Sequence, residues 1–207
     1  LDTPCYHALQ AAGTHVDVLQ YGCESASADL VGGSTPENLA DMMRGLGLFS
    51  EAGIALESAP AAPDPAKEAD FADWLKVAAD TNVTPLQMAL MASTLTNSGL
   101  QPTPKMVNSY QSANGAWVAF GGNTSAVEVF SADLAFQLRN QFLAESQPIW
   151  YLNGHAALEN GEMLTWYIGG STPQWVGVPL AIAVAIEGSE PALSQQIGSQ
   201  LLNPVTP

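Results

Sequence analysis

The sequence predicts an α+β fold in which helices come first and an antiparallel sheet packed with helices follows. Three observations predict it. Two helix-start signatures, Ser34-Thr35-Pro36-Glu37 and Thr84-Pro85-Leu86-Gln87, fall in the first half, each setting a hydroxyl three residues ahead of an acid or amide. The second half turns to runs of strand length, Ile149–Ala157, Leu164–Gly169 and Val178–Ile186, rich in β-branched and aromatic residues. Helical spacing then returns over Pro191–Leu202 and stops before Pro204. Helices and strands that are segregated, rather than alternating, point to an antiparallel sheet.

Taken in order, Leu1 to Gly33 reads as irregular chain with small residues. The first capping box opens a helix that runs to about Gly45, with Leu39, Met42 and Met43 inward and Gly45-Leu46-Gly47 stopping it. Pro60, Pro63 and Pro65 bar helix and inner strand alike, so Ser58 to Ala66 is a surface loop. Glu68 to Asp80 carries Phe71, Trp74, Leu75 and Ala78 at helical spacing. The second capping box opens a helix to about Asn97, closed by Asn97-Ser98-Gly99. No charge lies between Asp80 and Lys105, which predicts burial on most sides. Trp117, Val118 and Phe120, then Val127, Val129 and Phe130, flank Gly121-Gly122-Asn123 and predict a hairpin. Ser131 to Glu145 follows as a helix carrying Leu134, Phe136, Leu138, Phe142 and Leu143.

At 207 residues and 47% hydrophobic content, the chain has the material for one well-buried domain spanning 1–207, helical to about 112 and strand-rich from about 113. Twenty acidic against five basic residues give a formal charge of −15, which repels phosphate backbones and excludes nucleic acid as a partner. The longest uncharged apolar run, Val178 to Ile186, has strand length, so no transmembrane segment is expected in this chain. Leu1-Asp2-Thr3-Pro4 has neither the charged start nor the apolar stretch of a signal peptide. Cys5 and Cys23 allow one intramolecular disulfide, whose loop would stabilise by about 3 kcal/mol in the chain-entropy model. Two buried free thiols are the alternative, because spacing alone does not decide it.

The order of segments resembles the transpeptidase domain of penicillin-binding proteins, in its C-terminal part and with degenerate catalytic motifs. Thr84 to Val107, TPLQMALMASTLTNSGLQPTPKMV, is similar to that family's T-P-L-Q-M-A stretch with its following small and apolar residues. Val129 to Phe142 resembles the helix before its third catalytic strand. LTWYIGG and PLAIAVAIE resemble its W-F-x-G and A-V-x-V-x-x-E strands, and Gly22 to Leu48 resembles the segment beginning S-C-N. The resemblance covers nearly the whole chain and implies a partial β-lactamase-like fold. It also implies a sheet some of whose strands lie upstream. The Val178–Ile186 strand is then left with an open edge, to be covered by the hairpin near Trp117 to Phe130, by a terminal segment, by a second copy in a homo-oligomer or by a longer natural chain.

That family works through three motifs. S-x-x-K supplies a nucleophile and its base, S-x-N a proton relay, and K-T-G a cation and strand edge for the substrate carboxylate and oxyanion. The resemblance sets the second motif on Gly22-Cys23-Glu24, where the relay hydroxyl is gone and a carboxylate replaces an amide. It sets the third on Leu152-Asn153-Gly154, followed by His155, where leucine replaces the lysine. No serine is followed by lysine three residues on, so S-x-x-K is absent from the chain. The expectation is therefore a vestigial cleft of Gly22, Cys23, Glu24, Leu152, Asn153, Gly154 and His155 with no catalytic residue. Such a domain would be extracytoplasmic, in the cell envelope, with any anchor outside this chain. It would bind or scaffold peptidoglycan or cell-wall synthesis proteins. The alternative is part of an active D,D-transpeptidase whose nucleophilic serine lies upstream.

Other clusters carry less. His7 and His15, near Asp2 and Asp17, match no zinc spacing, and neither a metal nor a cofactor is expected. His155 would need Ser25 or Ser27 as a nucleophile to act as a general base. Glu68, Asp70 and Asp73 beside Lys67 and Lys76 read as a solvated helix face. Asp29, Glu37 and Asp41 form no regular calcium loop. Trp150, Tyr151, Trp166, Tyr167 and Trp175 cluster around the last strands and divide between core and rim, or line a groove for sugar or peptide.

Overall fold

The structure is a computed structural model, and it describes residues 35–51, 53–54, 82–120, 125–144, 146–158 and 160–203. Its centre is a three-stranded antiparallel meander, β5 (Ile149–Ala157), β6 (Met163–Ser171) and β7 (Ala181–Glu187), in that spatial order. One helix covers each face. Helix α2 (Pro85–Thr96) lies on the side where Trp150 and Ile168 pack with Ala92, Met88, Met91 and Leu95. Helix α4 (Pro191–Leu202) lies on the other, where Leu202 packs with Ile149 and Tyr167, flanked by Tyr151, Ile182 and Val184. Alternation along each strand feeds both layers, so Trp150 and Tyr151, neighbours in sequence, each find a covered face. The sequence-based expectation of an α+β fold with an antiparallel sheet is met.

Close approach of the helices depends on small residues. A Cβ on Gly198 of α4 would collide with the Tyr167 ring, and one on Gly170 of β6 would collide with Thr96 Oγ1 of α2. Beside Gly170, Trp150 Nε1 donates to that same hydroxyl at 3.2 Å, tying β5 to the last turn of α2.

Helix α2 starts where its capping box predicts. Thr84 Oγ1 accepts from Gln87 N at 3.2 Å, and Gln87 Oε1 accepts from Thr84 N at 2.9 Å. The buried Gln87 side chain also donates to Leu48 O and Ser50 O, both at 3.2 Å, which fastens the chain after α1 (Pro36–Gly45) to α2. At α1 the cap is Thr35, accepting from Asn38 N at 3.3 Å with Pro36 at the first helical position, rather than the expected Ser34. Its buried face is Ala40, continued by Leu46 and Leu48. Met42, expected inside, is exposed, because two residues on from the buried Ala40 it falls on the opposite side of the helix.

Helix α3 (Ala132–Gln141) is shorter than expected and turned over. Ser131 caps it, and Ala135 and Arg139 face inward while Leu134, Phe136 and Leu138 are exposed. The reason is at the end of α2: the Arg139 guanidinium donates to Leu95 O and Thr96 O at 3.4 and 3.5 Å, meeting carbonyls that the last turn leaves without an amide. Burial lowers the Arg139 pKa from its usual value, and the ring of Phe136 lies 6.0 Å from the guanidinium carbon.

The hairpin expected around 121–123 is replaced by two other pairings. β2 (Ser109–Gln111) pairs with β3 (Trp117–Ala119), and β1 (Leu100–Gln101) pairs with β4 (Val127–Glu128), all antiparallel. The turn between β2 and β3 explains the switch. Ser112 N donates to Ala116 O at 2.9 Å, Gly115 N to Ser112 O at 2.8 Å, and Asn114 Oδ1 accepts from Ala116 N at 3.2 Å. Asn and Ser close this loop through their own side chains, which leaves Trp117 opposite Gln111. The expected helix over 68–80 and the loop over 58–66 lie outside the described residues.

Candidate functional site

β5 is the strand on which the resemblance sets the anchoring motif, and its register is fully determined. Leu152 pairs with Ile168, Asn153 with Tyr167, Gly154 with Trp166 and His155 with Thr165. Successive strand residues point to opposite faces, so Leu152 and Gly154 share the α2 face with Trp150 and Ile168, while Asn153 and His155 share the α4 face with Tyr151 and Tyr167. The four residues therefore divide two and two between opposite sides of the sheet. All four are half-buried. A Cβ at Gly154 would meet nothing within 4 Å, so open space, not tight packing, surrounds this glycine.

On the α2 face the position read against the lysine is aliphatic. Arg139 is the last basic residue of the sequence, so β5, β6 and β7 carry no lysine or arginine. The Arg139 guanidinium is itself buried and committed to the end of α2. Among the described residues, a carboxylate arriving at the α2 face of β5 would meet strand backbone and no lysine or arginine of the sheet.

The α4 face carries the polar chemistry. Tyr151 and Tyr167 stack with centroids 5.4 Å apart and ring planes 10° apart, and Gln195 Nε2 of α4 donates to Tyr151 OH at 3.1 Å. Tyr167 OH and Asn153 Oδ1 are both buried without a hydrogen-bond partner. Burial foremost, and the neighbouring Tyr151 second, hold the Tyr167 phenol well above its usual 10.0. His155 Nδ1 lies 3.4 Å from Thr165 Oγ1. That hydroxyl spends its hydrogen on Gly188 O at 2.6 Å and accepts from Glu190 N at 3.0 Å, so toward His155 it acts only as an acceptor. The network therefore assigns a proton to Nδ1 and makes Thr165 a positioning residue for the ring and for the start of α4. Sequence reasoning missed Thr165, although its place opposite His155 follows once the β5–β6 register is known.

At the head of the sheet a shallow depression of about 320 Å³ is lined by Ser146, Gln147, Thr172 and Gln174 with Leu143 and Pro148. The Thr172 hydroxyl beneath it is buried and unpartnered. Among the described residues no charged side chain lines it.

Gly22, Cys23 and Glu24, the Cys5–Cys23 pair, His7, His15, Ser25, Ser27 and Asp29 all lie outside the described residues. Glu37 and Asp41 sit on the exposed side of α1, where Asp41 pairs with Arg44. Among the described residues no group of three or more His, Cys, Asp or Glu side chains gathers to hold a metal, and no helix is long and apolar enough to cross a membrane. Trp150, Trp166 and Tyr167 are buried, so the aromatic cluster is core at these positions, with Tyr151 and Trp175 half-buried.

No family model matches the sequence, and no curated protein matches it. Solved structures do match the fold. Penicillin-binding protein 3 from Mycobacterium tuberculosis, in its apo form, superposes with a TM-score of 0.74 at 16% identity, covering 94% of this chain and 52% of that one. Penicillin-binding protein A from M. tuberculosis, as an imipenem acyl-enzyme complex, gives 0.74 at 22% identity, covering 97% and 48%. A peptidoglycan synthetase from Bifidobacterium adolescentis gives 0.68 at 16% identity, covering 91% and 39%. The chain spans about half the length of the first two of these structures or less. With a central antiparallel meander between two helical layers and these superpositions, the 207 residues carry the transpeptidase fold of penicillin-binding proteins, in part.

Proposed function

We propose that this chain is a catalytically silent transpeptidase-like domain of the cell envelope, extracytoplasmic, that binds or scaffolds peptidoglycan or the proteins that synthesise it. The observation that carries the reading is the composition of the anchoring strand. Leu152 is the residue that the resemblance sets against the anchoring lysine, and β5, β6 and β7 carry no lysine or arginine. An anion bound to half-buried backbone without a cation forfeits a charge-assisted hydrogen bond, worth roughly 1.5–3 kcal/mol. The losses read at Gly22 and Glu24 add a missing relay hydroxyl and an extra negative charge. The fold likeness to penicillin-binding proteins supports the envelope setting, and the retained sheet and helix layers support a binding role that shape alone can serve.

Co-sedimentation of the full-length natural protein with purified peptidoglycan sacculi tests the binding role. Retention that is competed by soluble muropeptides is the expected result. Recovery of all the protein in the supernatant, together with no envelope protein cross-linked to it in cells, would remove the role. The rival, an active D,D-transpeptidase with its serine upstream of Leu1, predicts a covalent band with a fluorescent penicillin, and the silent reading predicts none.

A further inference from the structure

We propose that Asn114 is a site of self-modification, where the chain converts its own asparagine to aspartate and isoaspartate ahead of two other asparagines with the same neighbour. The conversion is independent of the envelope role and follows from local chemistry. Asparagine is followed by glycine three times, at Asn114-Gly115, Asn153-Gly154 and Asn160-Gly161. In each, glycine has no Cβ to keep its amide nitrogen away from the preceding side-chain carbon. The reaction starts when the glycine amide gives its proton to water or hydroxide and its nitrogen attacks Asn Cγ. The new N–Cγ bond puts negative charge on Oδ1. Collapse of that oxyanion breaks the Cγ–Nδ2 bond, and Nδ2 leaves as ammonia, taking up a proton. Water then opens the cyclic imide, either at Cγ to give aspartate or at the main-chain carbonyl to give isoaspartate.

At Asn114 the oxyanion is already provided for. Oδ1 accepts from Ala116 N at 3.2 Å, and the Ser112 hydroxyl lies 2.5 Å from it, sharing its one hydrogen between Oδ1 and Ala116 O. Donors aimed at the oxygen where charge develops lower the barrier to attack at its carbon. No charged residue occurs between Lys105 and Glu128, so no carboxylate on this hairpin opposes that charge. Gly115 N donates to Ser112 O at 2.8 Å, and this bond must open before attack. Opening costs little, because β2 and β3 are three residues each and wholly exposed.

The other two sites are hindered, each differently. Asn160 Oδ1 accepts from Glu162 N at 3.0 Å, but its Nδ2 donates to Glu162 Oε2 at 2.8 Å. That carboxylate holds the leaving nitrogen, supplies it no proton, and sets a negative charge beside the forming oxyanion. The turn is also clamped by the nine-residue strands β5 and β6, with Gly161 N donating to Leu158 O at 2.8 Å. Asn153 lies within the ladder itself. Leu158 N donates to Glu162 O while Tyr151 N donates to Phe142 O on the other side, so the even-numbered residues of β5 address β6 and Gly154 N–H faces Trp166. Attack there would break a central ladder bond, and Asn153 Oδ1 is buried with no donor to receive its charge.

Ageing the full-length natural protein at physiological temperature, with peptide mapping by mass spectrometry and enzymatic methylation of isoaspartate, tests the order. Asn114 is expected to convert roughly tenfold faster than Asn160, the rate equivalent of one charge-assisted bond, and Asn153 to stay intact. The Asn114 rate should climb with pH, since the Gly115 amide must lose its proton. In strong denaturant the three rates should converge, because all three asparagines have the same neighbour. Glu162→Gln should speed Asn160 and leave Asn114 unchanged. Conversion of Asn160 or Asn153 first, equal rates at all three in the folded protein, the same order persisting in denaturant, or an Asn160 rate unmoved by Glu162→Gln would overturn the proposal.

Discussion

The β5–β6–β7 sheet and the β2–β3 hairpin are both antiparallel and both rich in aromatic and β-branched residues, yet their surroundings differ completely. Every residue of β6 from Thr165 to Ser171 is buried, whereas every residue of β2 and β3 is exposed. Trp150 on β5 is 2% exposed and Trp117 on β3 is 71% exposed. A strand sequence states what fits a pleated surface, and a second layer decides whether that surface is covered. In the sheet, α2 and α4 supply two layers, and Gly170 and Gly198 let them come close. The hairpin is held by its turn and one edge-on contact, Tyr110 with Phe120 at 6.2 Å.

The difference is sharpest where packing is tightest. Gly198→Ala places a methyl inside the Tyr167 ring, which is buried and has no room to yield, so a loss of about 3 kcal/mol is expected. The midpoint of chemical denaturation reads it, and a loss under about 1 kcal/mol would show that α4 is not seated on β6. Trp150→Phe removes the bond to Thr96 and leaves that hydroxyl beside an apolar ring, for an expected loss of roughly 1–2 kcal/mol by the same measurement.

Tyr167→Phe runs in the opposite direction. It deletes a buried hydroxyl with no partner, and a gain of up to about 1 kcal/mol is expected. The variant also has a pH signature. The folded phenol titrates above its ordinary 10.0, so the stability carried by the neutral form is fully present below 10 and is lost as pH rises toward the folded value, where the unfolded chain has already ionised. Denaturation midpoints measured from pH 9 upward should fall less steeply in Tyr167→Phe than in the parent chain. Equal slopes would place the phenol in contact with water. The smallest effect belongs to the hairpin: Trp117→Ala should change stability by no more than about 0.5 kcal/mol, and a larger loss would mean that something covers this surface.

Legibility of the fold followed the same division. The Thr84 capping box, the bounds of β5 and the whole of α4 could be read from sequence because each rests on local chemistry: a side-chain cap, a strand-length apolar run, a proline at the first turn. What escaped depends on distant partners. Nothing local in Leu100-Gln101 announces a pairing with Val127-Glu128, since two residues carry no periodicity. The inward turn of α3 is set by carbonyls of α2, more than forty residues away, which draw Arg139 inside and leave Phe136 outside.

The site was legible to a similar degree. The Leu152 to His155 stretch could be named from its likeness to a motif, but the division of its side chains between two faces needs the β5–β6 register. The polar network of His155, Thr165, Gly188 and Glu190 brings together residues that no sequence spacing connects.

The central claim is that the fold survives without the groups that acylate a serine and grip a carboxylate. Intact-mass spectrometry of the full-length natural protein after prolonged exposure to excess penicillin tests it most directly. The account predicts a single species at the unmodified mass. A shift of the whole population by the mass of one penicillin, mapped to a serine, would contradict it.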